Sequence, residues 1–183
     1  TGILLCGAHG LWAPLAWIAP VPLLVGLANA SWRESLWMGL LCGGCEAMIL
    51  FGLAKAGWAV FATLACAYAL ERAIFTLGAR WLAPGDRAGL GAASLWVLLE
   101  AGHAALPMSL PNLLGDTQHA GVFLPVARLG GTWLLAFLMV WTSAVLARAA
   151  GRPLKELRYL VAPGLVLALL MGVAASQSPV SGK

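Results

Sequence analysis

Six stretches of this chain stay apolar for long enough to cross a lipid bilayer. They are residues 11–28, 35–54, 57–82, 89–106, 128–147 and 158–175. A spanning helix needs about 20 such residues, within a range of roughly 17–25. The polar segments between them are mostly short, so few folds other than a bundle of antiparallel spanning helices can accommodate the chain. Composition closes the argument. Only 10% of the 183 residues are charged, 61% are hydrophobic and the mean hydropathy is +0.88. A soluble domain carries about 25% charged residues, and eleven basic plus seven acidic side chains are too few to coat a water-facing surface of this size. The expected fold is all-α, a polytopic transmembrane bundle of six full spans over residues 1–175. A short partial or re-entrant segment at residues 2–8 precedes it, and a polar linker or tail at 176–183 follows. The opening at Thr1, inside an apolar run, reads as a cut within the end of a longer helix.

The basic residues orient the bundle. Alternation places Arg33, Arg80, Arg87, Arg148, Arg152, Lys155 and Arg158 on one side, with Lys55, Arg128 and Lys183 on the other. The positive-inside rule makes the first side cytoplasmic. Loops at 33, 80–87 and 148–158 are therefore expected in the cytoplasm and the tail in the periplasm. Trp12, Trp17, Trp32, Trp37, Trp58 and Trp81 lie near the expected helix ends, as an aromatic belt does. A diffuse charge of +4 offers no phosphate-binding stripe, so nucleic acid is not an expected partner.

Ionisable side chains inside the spans are the candidate functional residues, because charge in hydrocarbon is costly and seldom idle. They are Glu46, Glu71, Arg72, Glu100 and His103. Glu71–Arg72 can pair with Glu46 or with Glu100, and Glu100 lies one helical turn from His103. The plain reading is an ion pair tying helices together; the sharper one is a proton or substrate path. His103 can ligate haem or chlorophyll, but a histidine in a membrane helix more often hydrogen-bonds a neighbouring helix, and that is the expectation here; His9 leaves the same question open. No cofactor and no metal are expected. Cys42-Gly-Gly-Cys45 has C-x-x-C spacing, but it sits with Cys6 and Cys66 in apolar runs, where small packing residues are the simpler account. Gly39-Leu-Leu-Cys-Gly43 predicts close helix approach, with Gly44 extending the small face. No nucleophile motif, phosphate loop or metal-ligand motif is present, and no catalytic residue is assigned. The segment 107–127 is the longest non-helical stretch. It is too apolar for disorder and is expected to lie on the membrane surface, facing lipid or a partner helix through Leu113 and Phe123 among others.

Four motifs in order then resemble one family, the bacterial apolipoprotein N-acyltransferases. Trp12-Ala-Pro-Leu-Ala-Trp-Ile-Ala-Pro-Val-Pro-Leu-Leu24 is similar to the family's second-helix signature, and Leu95-Trp-Val-Leu-Leu-Glu100 to a later helix. Pro111-x-x-Leu-Gly-Asp-x-Gln118 resembles a family loop, and Ala127-x-x-Gly-Gly-x-Trp-x-x-x-Phe137 the start of the helix after it. The resemblance implies an amino-terminal membrane bundle followed by a periplasmic nitrilase-like domain. It also implies acyl transfer from phospholipid, through a cysteine thioester, to a lipoprotein. The residues that do this chemistry in the family have no match here. What carries over is Glu100, Pro111, Gly115, Gln118 and Gly130 as lipid-facing or loop-shaping positions. Asn112 departs from a usual Trp, His103 from a common Arg, and Trp133 in part from a Tyr-Gly pair. Two expectations follow. One is a membrane domain cradling phospholipid or lipoprotein in the bacterial inner membrane for a nitrilase-like domain. The other is a non-catalytic accessory subunit that scaffolds other membrane subunits.

Overall fold

The structure, a computed structural model, describes residues 15–48, 57–85, 89–105, 114–115, 118, 123–150 and 161–176. The expected segment at 2–8 and tail at 177–183 lie outside the described residues, as do Pro111, Asn112 and Leu113. Six α-helices are described, with no strand among the described residues: α1 Val21–Leu27, α2 Trp32–Ala47, α3 Trp58–Leu82, α4 Leu90–Ala104, α5 Leu124–Ala149 and α6 Val161–Ser176. The all-helical expectation holds. Two helices, α3 and the Val126–Ala149 part of α5, are long and apolar enough to cross a membrane.

Each helix boundary has a local cause. The first expected span, 11–28, is not one continuous helix where it is described. Residues 15–17 form a 3₁₀ turn, and only the seven residues of α1 are α-helical. Pro20 stands at the N-cap and Pro22 in the first turn. Proline lacks the N–H an interior position must donate and is tolerated only at such a start. Seven residues rise about 10 Å. α2 begins at Trp32, three residues earlier than expected, because Ser31 and Glu34 form a capping box. The Ser31 N–H donates to Glu34 Oε2 at 2.6 Å and the Glu34 N–H to Ser31 Oγ at 3.3 Å. α4 starts at Gly89, whose φ of 76° is left-handed and whose Cβ, if it had one, would lie 2.8 Å from Ala144 Cβ. α5 begins four residues before the expected Arg128, so the long connection ends at 123 rather than 127. Within α5 the helix breaks at Gly130 and Gly131, the latter with φ 68°.

α2 packs on α3, α3 on α4, α4 on α5, and α5 on both α1 and α6. The glycine spacing does what it predicts. A Cβ on Gly39 would stand 2.5 Å from Ala73 Cα, and one on Gly43 would stand 2.6 Å from Ala69 Cα. Only hydrogen lets the two backbones approach so closely. Gly44 does not extend this contact, since the space beside it is open. The apolar core centres on Leu135, Leu138, Met139 and Val140 of α5, against Phe75 and Trp96. Outward-facing Trp37, Leu41, Leu70, Leu98, Leu165 and Leu169 are all exposed, a surface suited to lipid rather than water.

A buried polar cluster as candidate functional site

Helical geometry gathers the ionisable residues of three helices into one place. Successive residues on a helix point about 100° apart. Glu71 and Arg72, neighbours in sequence, therefore reach in different directions from α3. Arg72 turns to α2, where its Nε donates to Glu46 Oε2 at 2.7 Å. Glu71 turns to α4, where its Oε2 lies 2.5 Å from His103 Nδ1. Its other oxygen is 3.1 Å from Arg72 Nη1, close enough for an ion pair but not aligned as a hydrogen bond. On α4, Trp96 and Glu100 are one turn apart, and the indole N–H donates to Glu100 Oε1 at 2.7 Å. The same indole ring carries the Arg72 guanidinium over it at 3.7 Å, a cation–π contact strengthened by desolvation. Tyr68 closes the group, its ring 5.5 Å from that of His103. Cys42, one turn before Glu46, donates its S–H to Glu46 Oε1 at 3.6 Å.

All five sequence-chosen intramembrane residues thus come together. The side chains of Arg72 and Glu46 are 2% and 3% exposed, and Glu71 and Glu100 are buried. Arg72 chooses Glu46 from the two candidate partners. His103 bonds Glu71 across the helix interface, the hydrogen bond to a neighbouring helix that is expected of it, and Glu100, one turn away on the same helix, accepts from Trp96. Sequence reasoning missed Tyr68 and the binding role of Trp96. Their spacing to Arg72 and Glu100, four residues each, is the signal that places them on the same faces. Among the described residues no group of His, Cys, Asp and Glu is arranged to hold a metal ion.

In the long connection, the described candidates Gly115 and Gln118 are not on the surface; Pro111, Asn112 and Leu113 lie outside the described residues. Leu114, Gly115 and Gln118 are buried. Gln118 Oε1 accepts from the Trp17 indole N–H at 3.3 Å, and Phe123 lies against the Trp17 ring with centroids 5.4 Å apart. Ser143 Oγ donates to the Trp17 carbonyl at 2.7 Å, tying this turn to α5. A Cβ on Gly115 would stand 2.8 Å from the Thr132 carbonyl carbon, so the chain passes against the second part of α5 just after its break. The physical reason is the one that argued against disorder. These side chains are too apolar for water, and the bundle offers Gln118 an indole donor. Gly130 is exposed at the break itself.

The family model of the apolipoprotein N-acyltransferase N-terminal domain matches residues 1–145 of the chain. An apolipoprotein N-acyltransferase of Pseudomonas putida is 32% identical over 163 residues, covering 74% of this chain and 30% of that protein. Another, of Azotobacter vinelandii, is 33% identical over 154 residues with the same coverage, 74% and 30%. The chain therefore spans about a third of the length of these relatives. No solved structure matches it.

Proposed function

The chain belongs to the apolipoprotein N-acyltransferase family, and from that premise we propose that it is the multi-pass inner-membrane part of an N-acyltransferase, holding phospholipid for acyl transfer to a lipoprotein. The observation that carries the reading is the match across residues 1–145, joined to a bundle surface rich in exposed large apolar side chains. The nucleophile comes from a nitrilase-like domain elsewhere in the protein. Of the described cysteines, Cys45 and Cys66 are exposed on apolar helices, and Cys42 is engaged by Glu46. Among the described residues none is paired with a histidine or lysine that could act as its base.

The cytoplasmic side is the one bearing Arg33, Arg80 and Arg148. Contacts at that end of the bundle support the alternation. Arg80 Nε donates to the Ala30 carbonyl at 2.7 Å, joining the end of α3 to the turn before α2. Gly89, at the start of α4, sits against Ala144 near the end of α5. The test uses phospholipid and a diacylated lipopeptide with the 183-residue chain alone and with the full-length protein. Acyl transfer by the full-length protein and none by the chain is expected. Transfer by the chain that depends on one of its own cysteines would overturn the assignment of the nucleophile, and a stop codon directly after Lys183 would overturn the acyltransferase reading.

A further inference from the structure

We propose that the cluster between α2, α3 and α4 is an internal binding site for water and at least one exchangeable proton, enclosed by Tyr68, Glu71, Arg72, Glu100 and His103. It goes beyond the acyltransferase reading and does not rest on it.

The first support is charge. Among the described residues the titratable groups facing the cluster are Cys42 and Glu46 from α2, Tyr68, Glu71 and Arg72 from α3, and Glu100 and His103 from α4. Three carboxyls meet one guanidinium. With all three ionised and the imidazole neutral, two negative charges would be left in a bundle interior that cannot solvate them. Protons are the compensating cations at hand. His103 can hold one against Glu71, and the carboxyls can hold another among them. A metal ion fits poorly, because the Arg72 guanidinium already lies between Glu46 and Glu71 and would repel it, and no ligand set among the described residues surrounds a common point. An anionic headgroup meets the wrong sign.

The second support is independent of charge. Among the described residues three buried side-chain polar atoms have no hydrogen-bond partner, and all three belong to this cluster: Tyr68 Oη, Arg72 Nη1 and Glu100 Oε2. Tyr68 and Glu100 are 2% and 7% exposed. Buried polar groups are almost always satisfied, by ordered water where protein does not reach. One hydroxyl donor, one guanidinium donor and one carboxyl oxygen are a set that water can bridge, since water both donates and accepts. His103 is the way in. Its side chain, 11% exposed, is the least buried of the ion-paired groups, and it contacts both Glu71 and the Tyr68 ring. Chains of carboxyls, histidine and water in membrane helices carry protons by this chemistry.

The test is infrared spectroscopy of the full-length protein in lipid nanodiscs at pH 7, in ordinary and in deuterated water. The expected result is a protonated-carboxyl C=O band that shifts on deuteration. It persists in Glu34→Gln, an exposed control, and disappears in at least one of Glu46→Gln, Glu71→Gln and Glu100→Gln. Absence of the band in the wild type overturns the proposal whatever the variants do. So does a band that survives all three substitutions, or one that never shifts in deuterated water.

Discussion

Between α2, α3 and α4 charges and close glycine contacts are buried beside the Phe75–Trp96 ring pair; around α5 the buried contacts are made by Leu135, Leu138, Met139 and Val140. Ion pairs are directional, and each accepts few geometries. Aliphatic side chains are interchangeable within their volume. The polar half therefore fixes register, because Arg72 reaches Glu46 at 2.7 Å in one alignment of α2 on α3 only. The apolar half supplies packing without choosing partners so sharply. Its polar contacts, Gln118 to Trp17 and Ser143 to the Trp17 carbonyl, anchor irregular chain rather than align long helices.

Breaking the charged half should have the largest effect. Arg72→Met removes the cation of Glu46 and Glu71 and leaves buried carboxylates behind, a loss of about 3–5 kcal/mol. Leu138→Ala in the other half is expected to cost about 2–5 kcal/mol, set by how far the cavity collapses. The halves differ in what rescues them. Glu46→Gln with Glu71→Gln should recover most of the Arg72→Met loss, while Leu138→Met should already be nearly neutral, costing less than about 1.5 kcal/mol. Unfolding by steric trapping in bicelles measures both. Failure of the carboxyl substitutions to rescue would mean that charge does not dominate there.

Glycine substitution sharpens the same contrast at smaller scale. Gly43→Ala places a methyl 2.6 Å from Ala69 Cα and the Tyr68 carbonyl carbon. The helices must part, at about 1–3 kcal/mol. Gly44→Ala, with open space around it, should gain about 0.5–1 kcal/mol from the backbone entropy alone. Equal effects at the two positions would contradict the packing described.

The smallest effect is at the exposed start of α2. The Ser31 backbone N–H, and then the Ser31 side chain, hold the Glu34 carboxyl below the ordinary glutamate range. The cap is therefore intact above the ordinary glutamate value and is lost as pH falls through the lowered one. A carboxyl NMR titration should find Glu34 below a free glutamate, moving part of the way back in Ser31→Ala. A midpoint at the ordinary value would remove the capping box.

Much of this was legible in the residues themselves. Long apolar runs mark helices whatever their neighbours, and the run at 57–82 differs from α3, Trp58–Leu82, by one residue. Glu46, Glu71, Arg72, Glu100 and His103 stand out because charge is conspicuous in such runs. Their pairing was not legible, since it depends on how α2 and α4 rotate about α3. The one-residue step from Glu71 to Arg72 sends them to different helices, and only tertiary packing says which. The inward course of Leu114, Gly115 and Gln118 was hidden for a related reason. An apolar connection is equally content under lipid or inside a bundle, and the deciding partner, Trp17, is 101 residues from Gln118. Gly131 gave no warning of its break, because glycine alone does not say whether its freedom is used.

The most direct test of the account is a double-mutant cycle on Glu46→Gln and Arg72→Gln, read as unfolding free energy in lipid bicelles. The ion pair at 2.7 Å predicts a coupling between about 0.5 and 3 kcal/mol, as for residues in one buried network. Additivity of the two substitutions to within about 0.5 kcal/mol would show that α2 and α3 are not joined by this pair, and the buried cluster would fall with it.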